Sequence, residues 1–473
     1  MKKTLVALLL LVSMLVNIFA LASCDIFGKP DDGTDGEVEG KINIVFYHTM
    51  GENLRTVLNV YIEEFEELFP NIHVIHEQVG SYDDVRDTIS TELTVGAQPN
   101  IAYCYPDHVA LYNVAMAVTV LDDYIDYEGS YTFADGVTID NIGLTQAQKD
   151  DFIKGYYEEG RQFGDGKMYT LPLSKSTEVL YYNKTFFDAH GLKVPTTWDE
   201  MEAICEYIKT EIPNSTPLGY DSENNWFITM CEQYGSPYTS ATKVDGTNFL
   251  FDNETNWAFV DRFASWYAKG WVTTKELSGG YTSDAFKKAE GELGKSYMSI
   301  GSSAGATHQA PDAVNGEYPF EIGIAPIPQV NPEDPKVISQ GPSVCIFQQE
   351  NEQEVYASWL FVKFLTTDIE FQAAFSEASG YVPVIKSVNE DADYQEFLAE
   401  SSGYKTGIAA YSAKVCLEQE KAYYVSPAFN GSSKARDEVG LLMQACFSAY
   451  EKATDKMAMI KQKFDEAIEE CEY

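Results

Sequence analysis

Residues 42–105 read INIVFYHTMGENLRTVLNVYIEEFEELFPNIHVIHEQVGSYDDVRDTISTELTVGAQPNIAYCY, and two periodicities alternate along this segment. Short apolar runs between turn residues predict strands, whereas apolar residues three to four positions apart predict helices. The predicted order is strand 42–47, helix 55–69, strand 72–79, helix 83–95 and strand 101–105. Such a β-α-β-α-β order predicts a parallel sheet with helices on both faces, and therefore an α/β fold.

The loops that follow these strands are the first candidates for a binding site, because ligands of parallel sheets bind beyond the carboxyl ends of the strands. The loop sequences are HTM after the first strand, GSY after the second and YPDH after the third. His48 and His108 lie in two of these loops, so either side chain could face a ligand or have a structural role.

The amino terminus has the pattern of a secretory signal. Lys2 and Lys3 precede an apolar run, and small residues lead to Cys24. The string Leu21-Ala22-Ser23-Cys24 resembles the lipobox of bacterial lipoproteins. That resemblance implies a signal peptide over residues 1–23, acylation of Cys24 and a location on the outer face of the cell membrane. Residues 24–40 are rich in Gly and Asp, which predicts a disordered acidic tether.

Composition excludes several classes of function. The formal net charge is −40 and only five residues are arginine, so a nucleic-acid partner is not expected. Seven cysteines besides Cys24 are widely spaced and form no CxxC pair, which predicts buried thiols but leaves one or two disulfides open. The six histidines show no metal-ligand spacing, so neither a metal nor a cofactor is predicted. The chain has 31 Tyr, 26 Phe and 6 Trp, a supply that suits a site stacking flat ligand faces.

Enzymatic motifs receive little support. GSSAG (301–305) fits the G-x-S-x-G nucleophile pattern, but His308 is the only later histidine and lies too close in sequence to serve as the triad base. AEGELGKS (289–296) fits a relaxed phosphate-loop pattern, but it lacks the first glycine and follows a helix instead of a strand. A secreted glycosidase, which needs only two suitably spaced carboxylates, remains an alternative, as does a surface adhesion or sensory module.

Several strings occur in an order typical of one family: LYYNKTFFDAHGLKVPTTWDE (180–200), SSAG (302–305), SQGPSVCIF (339–347), YASWLFVKFLT (356–366) and SGYVPV (379–384). In this order they resemble the extracellular solute-binding proteins of bacterial ABC importers, of the maltose and glycerol-3-phosphate type. The resemblance implies a two-lobe, periplasmic-binding-protein-like fold (type II, Venus-flytrap), each lobe a sheet flanked by helices. It places lobe one at 41–172 and 329–381, and lobe two at 173–328 and 382–473.

The resemblance also implies a ligand pocket, carried over motif by motif from the glycerol-3-phosphate branch. Its residues are Tyr47, His48, Tyr82, Tyr105, Asp107, Ser176, Trp226, Ser302, Ser303, Gly341 and Tyr381. Among these, Trp226 is expected to stack on the ligand. That branch places an arginine on the phosphate just ahead of a glycine, whereas this chain has PAFNGSS (427–433) there, with Arg436 several residues later.

The resulting expectation is a monomeric, lipid-anchored solute-binding component of an ABC importer, without catalytic activity. It would capture a sugar or oligosaccharide between the lobes and deliver it to the membrane permease. Binding of glycerol-3-phosphate or a glycerophosphodiester by the same fold is the alternative, because one Arg near the pocket is fewer than a phosphate dianion favours.

Overall fold

The computed structural model describes residues 36–472; the predicted signal peptide, Cys24 and most of the predicted tether lie outside this range. The strands in the described range are β1 (Ile42–His48), β2 (Ile72–Gln78), β3 (Ile101–Cys104), β4 (Ser130–Thr132), β5 (Thr138–Asp140), β6 (Leu171–Pro172), β7 (Ser176–Asn183), β8 (Leu218–Tyr220), β9 (Thr239–Val244), β10 (Thr247–Phe249), β11 (Val272–Thr274), β12 (Met298–Ser302), β13 (Ile322–Pro326), β14 (Val337–Gln340), β15 (Ser343–Ile346) and β16 (Tyr423–Tyr424).

The α-helices of the same range are α1 (Glu52–Leu68), α2 (Tyr82–Glu92), α3 (Pro106–Tyr112), α4 (Asp122–Ile125), α5 (Gln146–Asp151), α6 (Lys154–Glu159), α7 (Lys184–His190), α8 (Trp198–Glu211), α9 (Glu223–Tyr234), α10 (Glu254–Ala268), α11 (Lys275–Ser278), α12 (Thr282–Lys287), α13 (Ala306–Gln309), α14 (Glu352–Thr367), α15 (Ile369–Glu377), α16 (Lys386–Glu390), α17 (Ala392–Ala399), α18 (Ile408–Glu418), α19 (Ser432–Tyr450) and α20 (Lys456–Glu472). Thr197 caps α8 in a capping box with Glu200, which fixes where this helix begins.

The first sheet contains the predicted β-α-β-α-β unit. Its strand order is β2-β1-β3-β15-β6, with β1 parallel to both β2 and β3. Strand β15 arrives much later in the sequence and pairs antiparallel to β3. Helix α1 buries Leu58, Ile62 and Phe65, the residues three to four apart that predicted it. The α/β prediction for this part of the chain is therefore confirmed.

The second sheet is built around β7. Its order is β11-β8-β12-β7-β14-β16, and β13 also pairs with β7. Strand β7 is almost fully buried, because helices cover the sheet and neighbours pair with it on both edges. Within residues 36–472, none of the helices combines the length and the apolar character that a membrane crossing requires.

Each sheet has its own hydrophobic core, and the two cores define a first lobe and a second lobe. The predicted division differs from the observed packing at two places. Strand β14 falls in the predicted first lobe but pairs with β7 of the second sheet. Residues 382–399 fall in the predicted second lobe, yet Val388 and Tyr394 are buried in the first core. The reason is that the chain returns to the first lobe at Gly341 and stays there until the end of α17.

The chain crosses between the lobes close to Lys175 and Gly341. Lys175 pairs with Val382 through two backbone hydrogen bonds of 3.1 and 2.7 Å. The Lys175 side chain is fully buried, and its Nζ lies 2.8 Å from Oε2 of Glu159, which is also buried. Gly341 has a φ of 91°, and a Cβ there would lie 2.6 Å from the backbone oxygen of Ser174. Only glycine fits this close approach, so the crossing itself accounts for the glycine.

Seven cysteines lie in the described range: Cys104, Cys205, Cys231, Cys345, Cys416, Cys446 and Cys471. All seven are buried and none forms a disulfide there. They therefore behave as small apolar residues of the cores.

Candidate functional site

A cleft between the two lobes holds two chambers that share Tyr82, Tyr105 and Gln340. The first, with a volume of about 570 Å³, is lined by Ser176 and Ser302 and is called here the serine chamber. The second, of about 200 Å³, is lined by Arg436 and is called the arginine chamber. Both lobes contribute to both chambers, so a ligand here would contact both lobes at once.

The serine chamber presents hydroxyl groups on a floor of small residues. Ser176 opens β7 and Ser302 closes β12, the antiparallel neighbour of β7, and their Oγ atoms lie 3.3 Å apart. Ala304 and Gly305 follow in the GSSAG loop and also line the chamber. Hydroxyl groups that both donate and accept hydrogen bonds suit a ligand that carries hydroxyl groups itself.

Tyrosine rings form the wall between the chambers. Tyr82 is the first residue of α2 and Tyr105 follows β3, and their ring centroids are 4.5 Å apart with planes 27° from parallel. Tyr381 adds a third ring to the serine chamber. Burial raises the pKa of Tyr82 and of Tyr105, so both phenols stay protonated at neutral pH. The wall thus offers apolar faces and uncharged hydroxyls to a ligand.

Charged side chains line both chambers: Asp221, Asp284 and Lys287 line the serine chamber, and Arg436 with four carboxylates lines the arginine chamber. Arg436, from the second turn of α19, donates to Oδ1 of Asn225 at 2.7 Å and lies 3.3 Å from Oδ2 of Asp107. Burial raises the pKa of Asp107. The neighbouring His108 and Arg436 groups and hydrogen bonds from backbone N–H groups lower it by more, so the pKa lies below its ordinary value. Asp107 therefore remains a carboxylate next to a guanidinium, an arrangement that can accept from one ligand hydroxyl and donate to another.

Several buried polar atoms of residues lining the arginine chamber have no hydrogen-bond partner among residues 36–472, and Oη of Tyr238 and Nδ1 of His108 are two of them. Tyr238 is only 7% exposed and His108 only 2%. Buried polar groups in native proteins are normally satisfied. Their orientation toward a chamber therefore indicates that a polar ligand or ordered water completes their hydrogen bonds.

The sequence comparisons are consistent with this geometry. The family described as bacterial extracellular solute-binding protein matches residues 60–399, well over half of the chain. The chain belongs to this family. As its description states, the family's members are extracellular.

Among curated relatives of this solute-binding protein, a multiple sugar-binding protein of Streptococcus mutans is 26% identical over 195 residues, which cover 41% of this chain and 40% of that protein. The sn-glycerol-3-phosphate-binding periplasmic protein of Rhizobium meliloti is 24% identical, over 67% of this chain and 75% of the relative. A maltotriose-binding protein of Pyrococcus abyssi is 22% identical, over 74% and 68%.

Solved structures share the fold of this solute-binding protein. UgpB of Mycobacterium tuberculosis, in complex with glycerophosphocholine, superposes with a TM-score of 0.70 at 17% identity, covering 92% of this chain and 99% of that one. The GacH receptor of Streptomyces glaucescens gives a TM-score of 0.68 at 17% identity, with coverage of 92% and 99%. These likenesses confirm the two-lobe, periplasmic-binding-protein-like fold.

The structure brings six of the eleven predicted pocket residues of this solute-binding protein into the cleft. These are Tyr82, Tyr105, Asp107, Ser176, Ser302 and Tyr381. His108, a weaker candidate from its loop position, also lines the arginine chamber.

Five predicted residues line neither chamber: Tyr47, His48, Trp226, Ser303 and Gly341. The Tyr47 hydroxyl donates to Oε1 of Glu92 at 3.2 Å. Ser303 is fully buried, and its Oγ accepts from the backbone N–H of Thr177 at 3.2 Å. Gly341 belongs to the crossing between the lobes.

Trp226 differs most from its prediction. It is fully buried in the core of the second lobe, stacked on Tyr220 at 4.6 Å with ring planes 9° apart. The predicted stacking on a ligand conflicts with this position, because no face of the indole is open to the cleft. Its neighbour Asn225 turns to the arginine chamber instead.

Sequence reasoning missed the side chains that arrive from distant segments. Arg436 lies three residues beyond PAFNGSS (427–433), so the family pattern gives it no place in the pocket. Helix α19, which begins at Ser432, brings its side chain to the cleft. Tyr238 comes from the loop before β9, where no motif marks it. The helical periodicity of residues 432–450 could have indicated that Arg436 lies near the start of a helix. No feature of the sequence marked Tyr238 as a pocket residue.

His48 belongs to a buried histidine pair beneath the first loop. The Met50 N–H donates to His48 Nδ1 at 3.1 Å, so the neutral ring carries its proton on Nε2, which lies 2.8 Å from His76 Nδ1. His76 Nε2 in turn lies 2.7 Å from Oδ1 of Asn59. Burial, reinforced by His76, lowers the pKa of His48 to about 3. The histidine is therefore a neutral structural group.

This pair predicts an acid-sensitive fold. Because the folded state lowers the pKa of His48 from 6.5 to about 3, its contribution to stability is complete above pH 6.5 and is lost as the pH falls toward 3. Between pH 6 and pH 5 we expect the free energy of unfolding to fall by about 1.4 kcal/mol from this group alone. Urea unfolding of wild type and of His48→Gln at both pH values measures this effect. The free energy of unfolding of His48→Gln should fall less between pH 6 and pH 5 than that of wild type. His190→Gln, at an exposed position, is the control. If the free energy of unfolding of His48→Gln depended on pH as strongly as that of wild type, His48 would not be the source of the acid sensitivity.

Proposed function

We propose that this protein is a binding component of an ABC importer that captures a carbohydrate between its lobes. The observation that carries the proposal is the pairing of tyrosine faces with serine hydroxyls and the Asp107–Arg436 pair in one cleft. Sugars combine apolar ring faces with hydroxyl groups that donate and accept, so they match both kinds of surface. The sugar-binding and maltotriose-binding relatives support the same ligand class.

Electrostatics favour a neutral ligand over a phosphate. Arg436 is the guanidinium that lines the arginine chamber, and it already faces the carboxylate of Asp107 at 3.3 Å. Further acidic residues line the same chamber: Asp83, Glu159 and Asp437. A phosphate dianion would have to compete with Asp107 for Arg436, which costs free energy. The other carboxylates are offset by cations, Asp83 and Asp437 by Arg86 and Glu159 by Lys175.

A glycerol phosphodiester is the second candidate, and Arg436 is the reason to keep it. The sequence has no arginine at the position of the family's phosphate ligand and has Arg436 several residues later, and α19 brings Arg436 into the cleft. Relatives that bind sn-glycerol-3-phosphate, by their names, align over two thirds of this chain. A single negative charge could displace Asp107 from the guanidinium.

The transport role follows from the family and from the cleft between two lobes. A ligand that contacts both lobes stabilises the arrangement in which they are close together, through its differential contacts with the two states. That form would be recognised by the membrane permease. Acylation at Cys24 would hold the protein at the outer face of the membrane and raise its effective concentration near the transporter.

Thermal denaturation against a panel of mono- and oligosaccharides, glycerol-3-phosphate and glycerophosphodiesters tests the ligand class. A true ligand at 100 times its Kd should add about 2.7 kcal/mol to the free energy of unfolding. The sugars should be recovered unchanged after incubation; release of shorter sugars would instead support the glycosidase alternative. Stabilisation by no member of the panel would contradict the carbohydrate assignment.

Asp107→Asn separates the two ligand classes. The substitution keeps the side-chain shape but removes the charge, so hydrogen bonds from sugar hydroxyls weaken. We expect the affinity for a carbohydrate to fall about 10- to 100-fold, the range of a charge-assisted hydrogen bond. The same change should strengthen binding of a phosphodiester, because Arg436 loses its competing partner. Titration calorimetry measures both, with the exposed Asp123→Asn as the matched control; a carbohydrate affinity equal in Asp107→Asn and wild type would contradict a role for Asp107.

A further inference from the structure

Charged contacts join the lobes at the rim of the cleft, next to the arginine chamber. Arg86 lies on α2, whose Val85 and Ile89 are buried against the first sheet. Its Nη1 donates to Oγ of Ser433 at 2.9 Å and lies 3.2 Å from Oδ2 of Asp437. Both partners lie on α19, which packs in the core of the second lobe. Arg86 therefore bridges the two lobes.

Arg86 is held ready for this contact by its own helix. Its Nε lies 2.8 Å from Oδ1 of Asp87, and Nη1 lies 3.2 Å from Oδ1 of Asp83. These two carboxylates orient the guanidinium toward α19, and the side chain is only 13% exposed. Because the guanidinium is already held by two carboxylates, it loses less conformational entropy on making a further contact than a freely moving side chain would.

The chambers do not include Arg86. Asp437 borders the arginine chamber, whereas Arg86 and Ser433 line a separate groove on the outer side of the same contact. Arg86 can therefore affect ligand affinity only indirectly, through the arrangement of the lobes or through its charge next to Asp437 and His108.

We propose that Arg86, which lines neither chamber, is a positioning residue for ligand binding: with Ser433 and Asp437 it forms a rim latch that holds the lobes together. The rim latch is defined by these three residues. Its effect on affinity rests on the proposed function, but its effect on the lobes does not.

The acidic character of the chain explains why closure needs such a latch. The formal net charge is −40, and closing the cleft brings Asp83 and Asp107 of the first lobe toward Asp437 of the second. Like charges at close range oppose closure. Arg86, from the first lobe, and Arg436, from the second, each face a carboxylate of the other lobe and offset this repulsion.

Loss of the latch should lower the population of closed protein. When only the closed state binds, the apparent Kd rises as the closed fraction falls. For a partly buried ion pair we expect a loss of about fivefold in affinity in Arg86→Ala for the ligand found in the panel. The substitution removes no side chain that lines a chamber, and scattering of the ligand-free protein separates a change in the arrangement of the lobes from a change in charge near the ligand.

Small-angle X-ray scattering of the ligand-free, full-length mature protein tests the latch directly. We expect a larger radius of gyration in Arg86→Ala than in wild type and a smaller increase in Asp437→Asn, which leaves the hydrogen bond from Arg86 to Ser433 in place. The double variant should show no increase beyond that of Arg86→Ala, because Asp437 acts through Arg86. Arg86→Lys should restore part of the compactness. Arg262→Ala is the matched control, since Arg262 pairs with Asp199 and Glu202 inside the second lobe.

The result that overturns the rim latch is a radius of gyration in Arg86→Ala equal to that of wild type or of Arg262→Ala. Additive increases in the double variant would also overturn it, because Arg86 and Asp437 would then act separately. Urea unfolding of each variant distinguishes opening of the lobes from loss of fold, and Asp437→Asn provides the test if Arg86→Ala unfolds. Failure of every ligand in the panel would overturn the proposed function and leave this scattering result intact.

Discussion

Replacing Trp226 by alanine should lower the free energy of unfolding by about 3–5 kcal/mol, the cost of removing a buried Trp side chain and leaving a cavity. The indole is fully buried, stacks on Tyr220 at 4.6 Å and lies 4.4 Å from the ring centroid of Phe263. Trp198 and Phe447 complete this aromatic cluster. No small side chain can fill the vacated volume without moving several rings.

Urea unfolding of the ligand-free variant measures this effect, and Trp257→Ala is the matched control. Trp257 is partly exposed and donates from its indole nitrogen to Oδ1 of Asp252 at 2.7 Å, so its removal should cost much less. The opposite pattern, a normal melt of Trp226→Ala together with loss of sugar binding, would show that the indole contacts ligand and that its placement in the core is wrong.

Removing the charge of Lys175 should destabilise the protein by a similar amount, about 3–5 kcal/mol, because it leaves a buried carboxylate without its partner. Lys175 Nζ lies 2.8 Å from Oε2 of Glu159, and both side chains are almost completely shielded from water. Nζ also lies 3.2 Å from Oγ of Ser343. The ion pair sits where the chain passes between the lobes, so the loss should affect both lobes together.

Lys175→Met measures the loss, and the double variant Lys175→Met with Glu159→Leu isolates its cause. Replacing both partners by apolar side chains of similar size removes the unpaired charge, so the double variant should recover much of the stability. Equal instability of the single and double variants would show that packing, and not the isolated carboxylate, determines the cost. The surface pair Lys336–Asp334, with 34% and 69% of the side chains exposed, provides the control, since Lys336→Met should change little.

Local signals in the sequence predicted the first sheet well. The β-α-β-α-β order depends on apolar periodicity within short windows, and each helix buries the stripe that marked it. Likewise, the start of α8 depends on hydrogen bonds between Thr197 and Glu200, three residues apart. Features formed by residues close together in the sequence can therefore be predicted from the sequence.

The composition of the cleft was predicted only in part, because it depends on contacts between distant segments. Trp226 and Asn225 are adjacent in α9, yet Trp226 faces the core and Asn225 faces the cleft. The single change from polar to apolar residues in this segment does not show which side of the helix faces the cleft. Arg436 meets Asp107 from 329 residues away. The position of Gly341 reflects the close approach of Ser174, which no motif records.

The buried cysteines have a practical consequence for reporting ligand binding in real time. A thiol-reactive fluorophore needs an accessible thiolate, and all seven cysteines of the described range are buried away from solvent. A single cysteine introduced on the exposed surface near the cleft could therefore be labelled selectively while the native thiols stay in place. Opening and closing of the lobes would change the surroundings of the dye, which would make the protein a reagentless optical sensor for its own ligand.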